Sequence, residues 1–416
     1  MASLSEIVNM EDKAETIRKV DLVVGVTGPV QAEELRARAA DTLHGLVADM
    51  SSDGSPLRIA VAYPATEGDV AAPSDARSPV QFVPYPLHGA AARALPWLAV
   101  PAAHRGIAGT ATASNARACL MIAEDLSALN RASIEALAGP LMEGTAQLTM
   151  PVYPARKYEG LVNSGILYPF TRALYGRQLR YPLALDFGVS GAMLSRLAAA
   201  PVRGQSLSIC WPGVEGALVD APTAQACVAA EHSGHSEDLD LSTVLALLAG
   251  ALFEEAEKNA AIWQRARGSR AVPLAGTPST TAGREDAVDT RPLVDSFNLG
   301  LRNLQEVWSL VLPPVTLLEL RKLARLPAEE FRIPDAVWAK TVYDFALAHR
   351  LRTISRAHLL GALTPLYLGW VASYAAEVRA LDAEAAERRI ERLAEAFEEA
   401  KSYFVSRWRW PDRFNP

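Results

Sequence analysis

The densest group of chemically capable side chains lies between Met150 and Gly191, in MPVYPARKYEGLVNSGILYPFTRALYGRQLRYPLALDFGVSG. Tyr153, Arg156, Lys157, Asn163, Arg172 and Arg180 are set there among apolar residues, and cations so placed clamp phosphate or carboxylate groups. Asp186, inside LALDFG, is the strongest single candidate, because a carboxylate in an apolar run is costly unless hydrogen bonds hold it. Elsewhere Asp125 closes the run ACLMIAED, Glu215 stands in WPGVEGALVD, and His232 and His235 follow in a polar segment. Gly188-Val-Ser190-Gly-Ala192 approximates the G-x-S-x-G nucleophile elbow of serine hydrolases, with Asp220 and His235 following in hydrolase order; the fifth position is Ala rather than Gly. Plainer readings stand beside these. Asp after a strand is common as a turn or cap residue, surface arginines mostly pair with carboxylates, and Cys227, Glu231, His232 and His235 match no strong zinc spacing.

These residues need elements to position them. Val20–Val26 is a continuous apolar run closed by Thr27, Gly28 and Pro29, as expected of a strand covered on both faces. Gln31–Met50 has apolar residues at helical spacing, Ser51–Ser55 supplies a turn, and Leu57–Tyr63 reads as the next strand. This β-α-β order predicts a parallel sheet whose strand carboxyl ends gather ligands. Further strands are expected at Val80–Tyr85, Ala118–Ala123 and Gln147–Val152, with helices at Ala111–Ala116 and Val189–Ala200. The second half reads as helical at Leu241–Trp263, Asp335–Arg350, Ser355–Val378 and Asp382–Trp408, with Asp382 as N-cap, a Glu384/Arg388 pair and a kink at Pro365. Leu274–Arg291 is polar and rich in breakers, as a linker or mobile loop would be.

Composition excludes several classes. In 416 residues, 47 acidic and 41 basic side chains give a net charge of −6 with no basic stripe, so nucleic acid is not an expected partner. Three cysteines without ligand spacing, and a charged lead-in over residues 1–19, point to a reducing, cytoplasmic setting. The apolar run Thr243–Phe253 is about half the ~20 residues a bilayer requires, and reads as a buried helix rather than a membrane span.

The order Tyr153, Arg156, Lys157, Tyr158, Asn163, Tyr168, Pro169, Arg172, Tyr175, Gly176, Pro182, Asp186, Phe187, Gly188 resembles retaining glycosyltransferases of GT-A fold, the glucosyl- and mannosyl-(phospho)glycerate synthases. DLVVGV and its turn resemble the family's first strand and nucleotide-binding turn, ACLMIAEDLSAL falls where the Asp-x-Asp metal motif lies, and His235 falls where the family's metal-binding His lies. The resemblance implies a mixed α/β, GT-A-like domain over residues 20–270, a linker over 271–296 and a helical region over 297–416. It implies transfer of glucose or mannose from a nucleotide diphosphate sugar to a small hydroxy acid such as glycerate or phosphoglycerate, with retention. Asp125 and His235 would hold Mg²⁺ or Mn²⁺, Thr27, Gly28 and Asp125 would meet the nucleotide, and Asp186 and Glu215 would be catalytic. Tyr153, Arg156, Lys157, Asn163 and Arg172 would bind substrate, and the helical region would complete the acceptor site or a homodimer contact. Ala123 replaces the first aspartate of the metal motif, Thr27-Gly28-Pro29 replaces the usual Ser-Tyr-Asn, and Gly106-Ile-Ala-Gly109 lacks the lysine of the family's Gly-Lys-Gly. A relative that binds ligands without catalysis is therefore the alternative reading, and a hydrolase using Ser190 is a third.

Overall fold

The computed structural model describes residues 19–28, 30–49, 56–65, 78–86, 96–123, 126–198, 209, 211–229, 240–277 and 288–411. The chain is mixed α/β and divides into two compact units. One unit takes Met1–Pro154, Pro182–Glu231 and Val272–Ser279; the other takes Ala155–Tyr181, His232–Ala271 and Thr280–Pro416.

The first unit is built on an eight-stranded sheet. Its strands are β1 (Leu22–Val26), β2 (Ile59–Ala65), β3 (Val80–Pro86), β4 (Ala118–Ile122), β5 (Leu148–Val152), β6 (Phe187–Ser190), β7 (Thr223–Cys227) and β8 (Leu274–Ala275). They lie in the order β3-β2-β1-β4-β6-β5-β7-β8. LVVGV and ACLMI are fully buried along their length, as expected of strands covered on both faces. All neighbours pair parallel except β6, which runs antiparallel to both β4 and β5. That insertion corrects the helix expected from Val189. Phe187 and Val189 are fully buried, and a Cβ on Gly188 would lie 2.4 Å from Thr149 Oγ1, so FGVS fills the sheet interior and the helix begins only at Gly191. The Leu274 end of the expected linker is likewise a short strand on β7, while residues 278–287 lie outside the described residues.

Helices α1 (Ala32–Asp49), α2 (Pro96–Ala113), α3 (Arg131–Met142), α4 (Gly191–Ala198) and α5 (Pro212–Leu218) belong to this unit. Helix α2 begins well before the expected Ala111. It brings Gly106 and Ile107 onto the sheet: a Cβ on Gly106 would strike the Tyr85 ring at 2.4 Å, and one on Gly25 would strike Ile107 at 2.5 Å. The Gly106-Ile-Ala-Gly109 element therefore sits inside a packed helix.

The second unit is helical. A π-helical turn, Asn163–Leu167, runs into α6 (Tyr168–Tyr175), followed by α7 (Leu241–Lys258), α8 (Ala260–Trp263), α9 (Arg291–Asn303), α10 (Gln305–Val311) and α11 (Pro314–Leu323). Helices α12 (Asp335–Leu351), α13 (Arg356–Val378), α14 (Ala383–Glu399) and α15 (Lys401–Arg409) complete it. Asp382 caps α14 through the Ala385 N–H as its sequence predicts. Helix α13 continues through Pro365, whose ring packs where a Cβ on Gly300 would stand. By length and composition α13 could cross a membrane, but 72% of its apolar window is buried in the protein. Aromatic rings form the core: Phe404 stacks between Tyr343 (4.5 Å) and Trp263 (5.0 Å), and Trp370 fills the space opened by Gly165.

One buried charge in this core makes a prediction. Asp344 is 1% exposed, accepts from Tyr403 Oη at 2.9 and 2.8 Å, and lies 2.9 Å from Arg407 Nε. Burial pushes its carboxyl up to about 7, against the opposing pull of Arg407, Tyr403 and Lys340. The folded state thus holds a proton that the unfolded state releases near pH 4. The stability contributed by Asp344 should fall as pH rises from about 4 to 7, by a few kcal/mol in all, and stay level above that. Urea unfolding of the wild type and Asp344→Asn across this range tests it. A wild-type advantage that grows with pH would mean the carboxylate is ionised in the fold.

Candidate functional site

The sheet order fixes where a ligand site belongs. From β1 the chain builds outward through β2 and β3, then returns to place β4 on the other side of β1. The crossovers β1→β2 and β3→β4 thus put neighbours on opposite sides of β1, and such a switch point is where open α/β sheets bind ligands, in the crevice outside the carboxyl ends of the strands, here β1 and β4.

The polar groups at this crevice form one connected set. Thr27, directly after β1, donates to the Ile122 carbonyl from both its backbone N–H (2.9 Å) and its hydroxyl (3.1 Å). The next residue, Ala123, donates its N–H to Asp186 Oδ1 at 2.9 Å, and Tyr153 donates its hydroxyl to Asp186 Oδ2 at 2.8 Å. Tyr85 donates to the Val26 carbonyl at 2.5 Å, so β1 is tied at its end from the other side as well. Asp186 is 4% exposed and Thr27 and Tyr153 are buried. The donors that the Asp186 carboxylate needs are thus supplied by the β4 exit and by the residue following β5.

His104, which drew no notice in the sequence, lies below this set. It is 1% exposed, its edge meets Phe187 with ring centroids 5.4 Å apart, and neither ring nitrogen has a protein partner among the described residues. Burial, helped by Arg105, lowers its pKa to about 3 and keeps it neutral. A lone His in PAAHRG carries no signal that could have revealed this.

The other expected site residues are distributed as follows. Gly28 is buried beside Thr27. Asp125, His232 and His235 lie outside the described residues. Glu215, on α5, pairs with Arg196 at 2.9 Å, and its neighbour Gly216 packs on Leu148, the first residue of β5. In the helical unit Arg156 pairs with Glu159 at 2.7 Å, and Lys157 donates to the Leu381 carbonyl at 3.1 Å and lies over the Tyr158 ring. Asn163 opens the π-helical turn and donates to the Arg180 carbonyl at 3.0 Å, while its buried Oδ1 has no partner among the described residues. Arg172 is held by Glu391, by Glu398 at 2.6 Å and by Tyr168 at 3.0 Å. Arg180 is bonded twice to Glu387.

Ser190 does not form a nucleophile elbow. It ends an antiparallel strand opposite Ala118, the first residue of β4, and its hydroxyl caps α4 through the Met193 N–H. It therefore lies at the strand end away from the crevice. Among the described residues no group of three His, Cys, Asp or Glu side chains is arranged to hold a metal, and Ala123 offers no ligand where the first aspartate is expected.

No protein-family model and no curated protein matches the chain. Among solved structures it is similar to a mycobacterial protein, with 15% identity, 61% of this chain and 78% of that one covered, and a TM-score of 0.36. It is also similar to glucosyl-3-phosphoglycerate synthase from Mycobacterium tuberculosis in complex with UDP, with 17% identity, 62% and 84% covered, and a TM-score of 0.36. The complex of that enzyme with Mn²⁺, UDP-glucose and phosphoglyceric acid gives 17% identity, the same coverage and a TM-score of 0.32.

Proposed function

We propose that this chain is a hexosyltransferase of GT-A-like architecture that moves glucose or mannose from a nucleotide diphosphate sugar to a small hydroxy acid, with retention. The observation that carries the reading is the hydrogen-bonded set of Thr27, Ala123, Asp186 and Tyr153 at the carboxyl ends of the paired strands β1 and β4. It joins the two ends of the motif order on which the family resemblance rests, the turn after the first strand and the Tyr153–Gly188 stretch. Thr27 and Gly28 meet the nucleotide and Asp186 faces the sugar, while Glu215, paired with Arg196 near the Leu148 end of β5, is left out of the proposed chemistry. Arg156, Lys157 and Asn163 select an anionic acceptor, and Asn163 Oδ1 is the group in that set without a partner among the described residues. Arg172, already committed to two glutamates, orders the acceptor segment. The described residues do not compose a metal centre. Asp125 and His235 would hold Mg²⁺ or Mn²⁺, which would neutralise the diphosphate leaving group.

Titration calorimetry with UDP and GDP, each with and without Mn²⁺, tests donor binding. Metal-dependent binding of one nucleotide, weakened about tenfold or more by Asp125→Ala or His235→Ala, is the expected result. Absence of binding under every condition rejects the reading. The Ala123 substitution favours one alternative, a binding protein that has lost transfer. Nucleotide binding without turnover of UDP-glucose or its mannose counterpart on glycerate or phosphoglycerate would establish that alternative. Light scattering tests the homodimer that is part of the proposal.

A further inference from the structure

The helical unit contains a cleft that plays no part in the proposed transfer. It lies between the segment that follows α8 and one face of α15, encloses about 590 Å³, and is open to solvent. At its base is Lys401, 9% exposed, whose ammonium donates to the Leu174 carbonyl at 3.1 Å and the Ala266 carbonyl at 2.7 Å. An ammonium has three N–H donors, and two of them are used among the described residues, so one faces the cleft for a ligand. Burial lowers the Lys401 pKa to about 8, opposed by Glu398, which leaves the group mostly charged at neutral pH.

The walls are consistent with an anion. Arg267 and Arg409 are exposed at the rim, and among the described residues Arg409 donates through its Nε to Gln264. The one carboxylate lining the cleft, Glu398, is engaged by buried Arg172. Three cationic side chains thus face one neutralised carboxylate, in a chain whose net charge is −6. Trp410 adds a flat apolar surface. It is 73% exposed, the most exposed large apolar side chain among the described residues, and it lies at the rim beside the two arginines.

We propose that this cleft is a ligand site for a small phosphorylated molecule bearing a flat ring, with Lys401, Arg267 and Arg409 on the phosphate and Trp410 against the ring. Buried ammonium plus rim guanidinium groups is the arrangement that holds phosphate, and an exposed indole stacks on a ring or packs beside it. The volume is within the range of small-molecule sites.

The test uses the full chain, calorimetry, and two probes: adenosine monophosphate and inorganic pyrophosphate. Both should bind. Arg267→Glu with Arg409→Glu, two exposed positions whose exchange leaves the core intact, should weaken both by about tenfold or more. Trp410→Ala should weaken the adenosine monophosphate complex alone. Asp125→Ala, aimed at the proposed donor site and not at the cleft, should leave both affinities unchanged, and this separates the cleft from the donor site. Lys401→Met, checked for folding by circular dichroism, should abolish pyrophosphate binding. Binding that survives the double arginine variant, or that is lost in Asp125→Ala, would overturn the assignment. So would failure of both probes to bind at millimolar concentration.

Discussion

Asp186→Ala is expected to lower hexosyl transfer by about a hundredfold or more, and to lower stability as well. The carboxylate is the common acceptor for the Ala123 N–H and the Tyr153 hydroxyl, and both donors are buried. Removing it strands two donors, at about 1–3 kcal/mol each. It also frees the β4 exit at the crevice, where a displacement of about 1 Å is enough to cost a hundredfold in rate. Three variants separate the contributions. Tyr153→Phe removes one bond to Asp186 and should cost about 1 kcal/mol with a modest rate loss. Asp186→Asn keeps the shape but replaces one acceptor oxygen by a donor. If Asp186 touches the sugar, Asp186→Asn loses kcat with little change in Tm; if it only positions the β4 exit, rate and Tm fall together. A folded Asp186→Ala protein with unchanged transfer would remove Asp186 from the site.

The second large effect is one of stability. Arg172 is 5% exposed in its side chain and is held by Glu391, Glu398, Tyr168 and Ser269. Arg172→Met leaves Tyr168 and two glutamates facing a methyl group, and should cost about 3–5 kcal/mol, the range for breaking one side of a buried ion pair. Arg172→Lys should restore little, because one ammonium cannot present the planar fork that reaches three partners on two helices. The matching removal of the carboxylates, Glu391→Gln with Glu398→Gln, should be costly too, since it leaves the guanidinium buried without a counter-charge. Denaturant titration of all three variants decides this. A loss below about 1 kcal/mol in Arg172→Met would show that the pair is solvated in solution.

The same arginine shows how much of the site was legible beforehand. Its residue type and clustering with tyrosines marked it as functional, yet its partners come from α14. There Glu387 meets Arg180, and Glu391 and Glu398 meet Arg172, along one stripe of the helix. Nothing local in either segment announces that match. For Asp186 the outcome was better. The cost of a carboxylate in an apolar run requires donors, and the structure supplies two. Which donors they are could not be read, because one is a backbone N–H, identical in every residue but proline.

By itself the sequence determined the elements whose signal is local. The runs LVVGV, IAVAY and ACLMI became buried strands, because an unbroken apolar segment of that length is stable only when covered on both faces. The cap Asp382 starts α14, where its side-chain oxygen accepts a backbone N–H group that a first turn leaves over. Tertiary structure alone decided the rest. FGVS is an antiparallel strand rather than the start of a helix because the gap between β4 and β5 accepts Phe187 and Val189 and leaves no room for a Cβ at position 188. The residues between Ala155 and Tyr181 joined the helical unit although sheet strands stand before and after them in the chain, because the glutamates and aromatic rings that satisfy them are there. Hydrophobic period and capping are short-range properties carried by neighbouring residues. Strand direction, ion-pair partners and the crevice at β1 and β4 depend on segments far apart in the chain, and so are settled only when the chain has closed on itself.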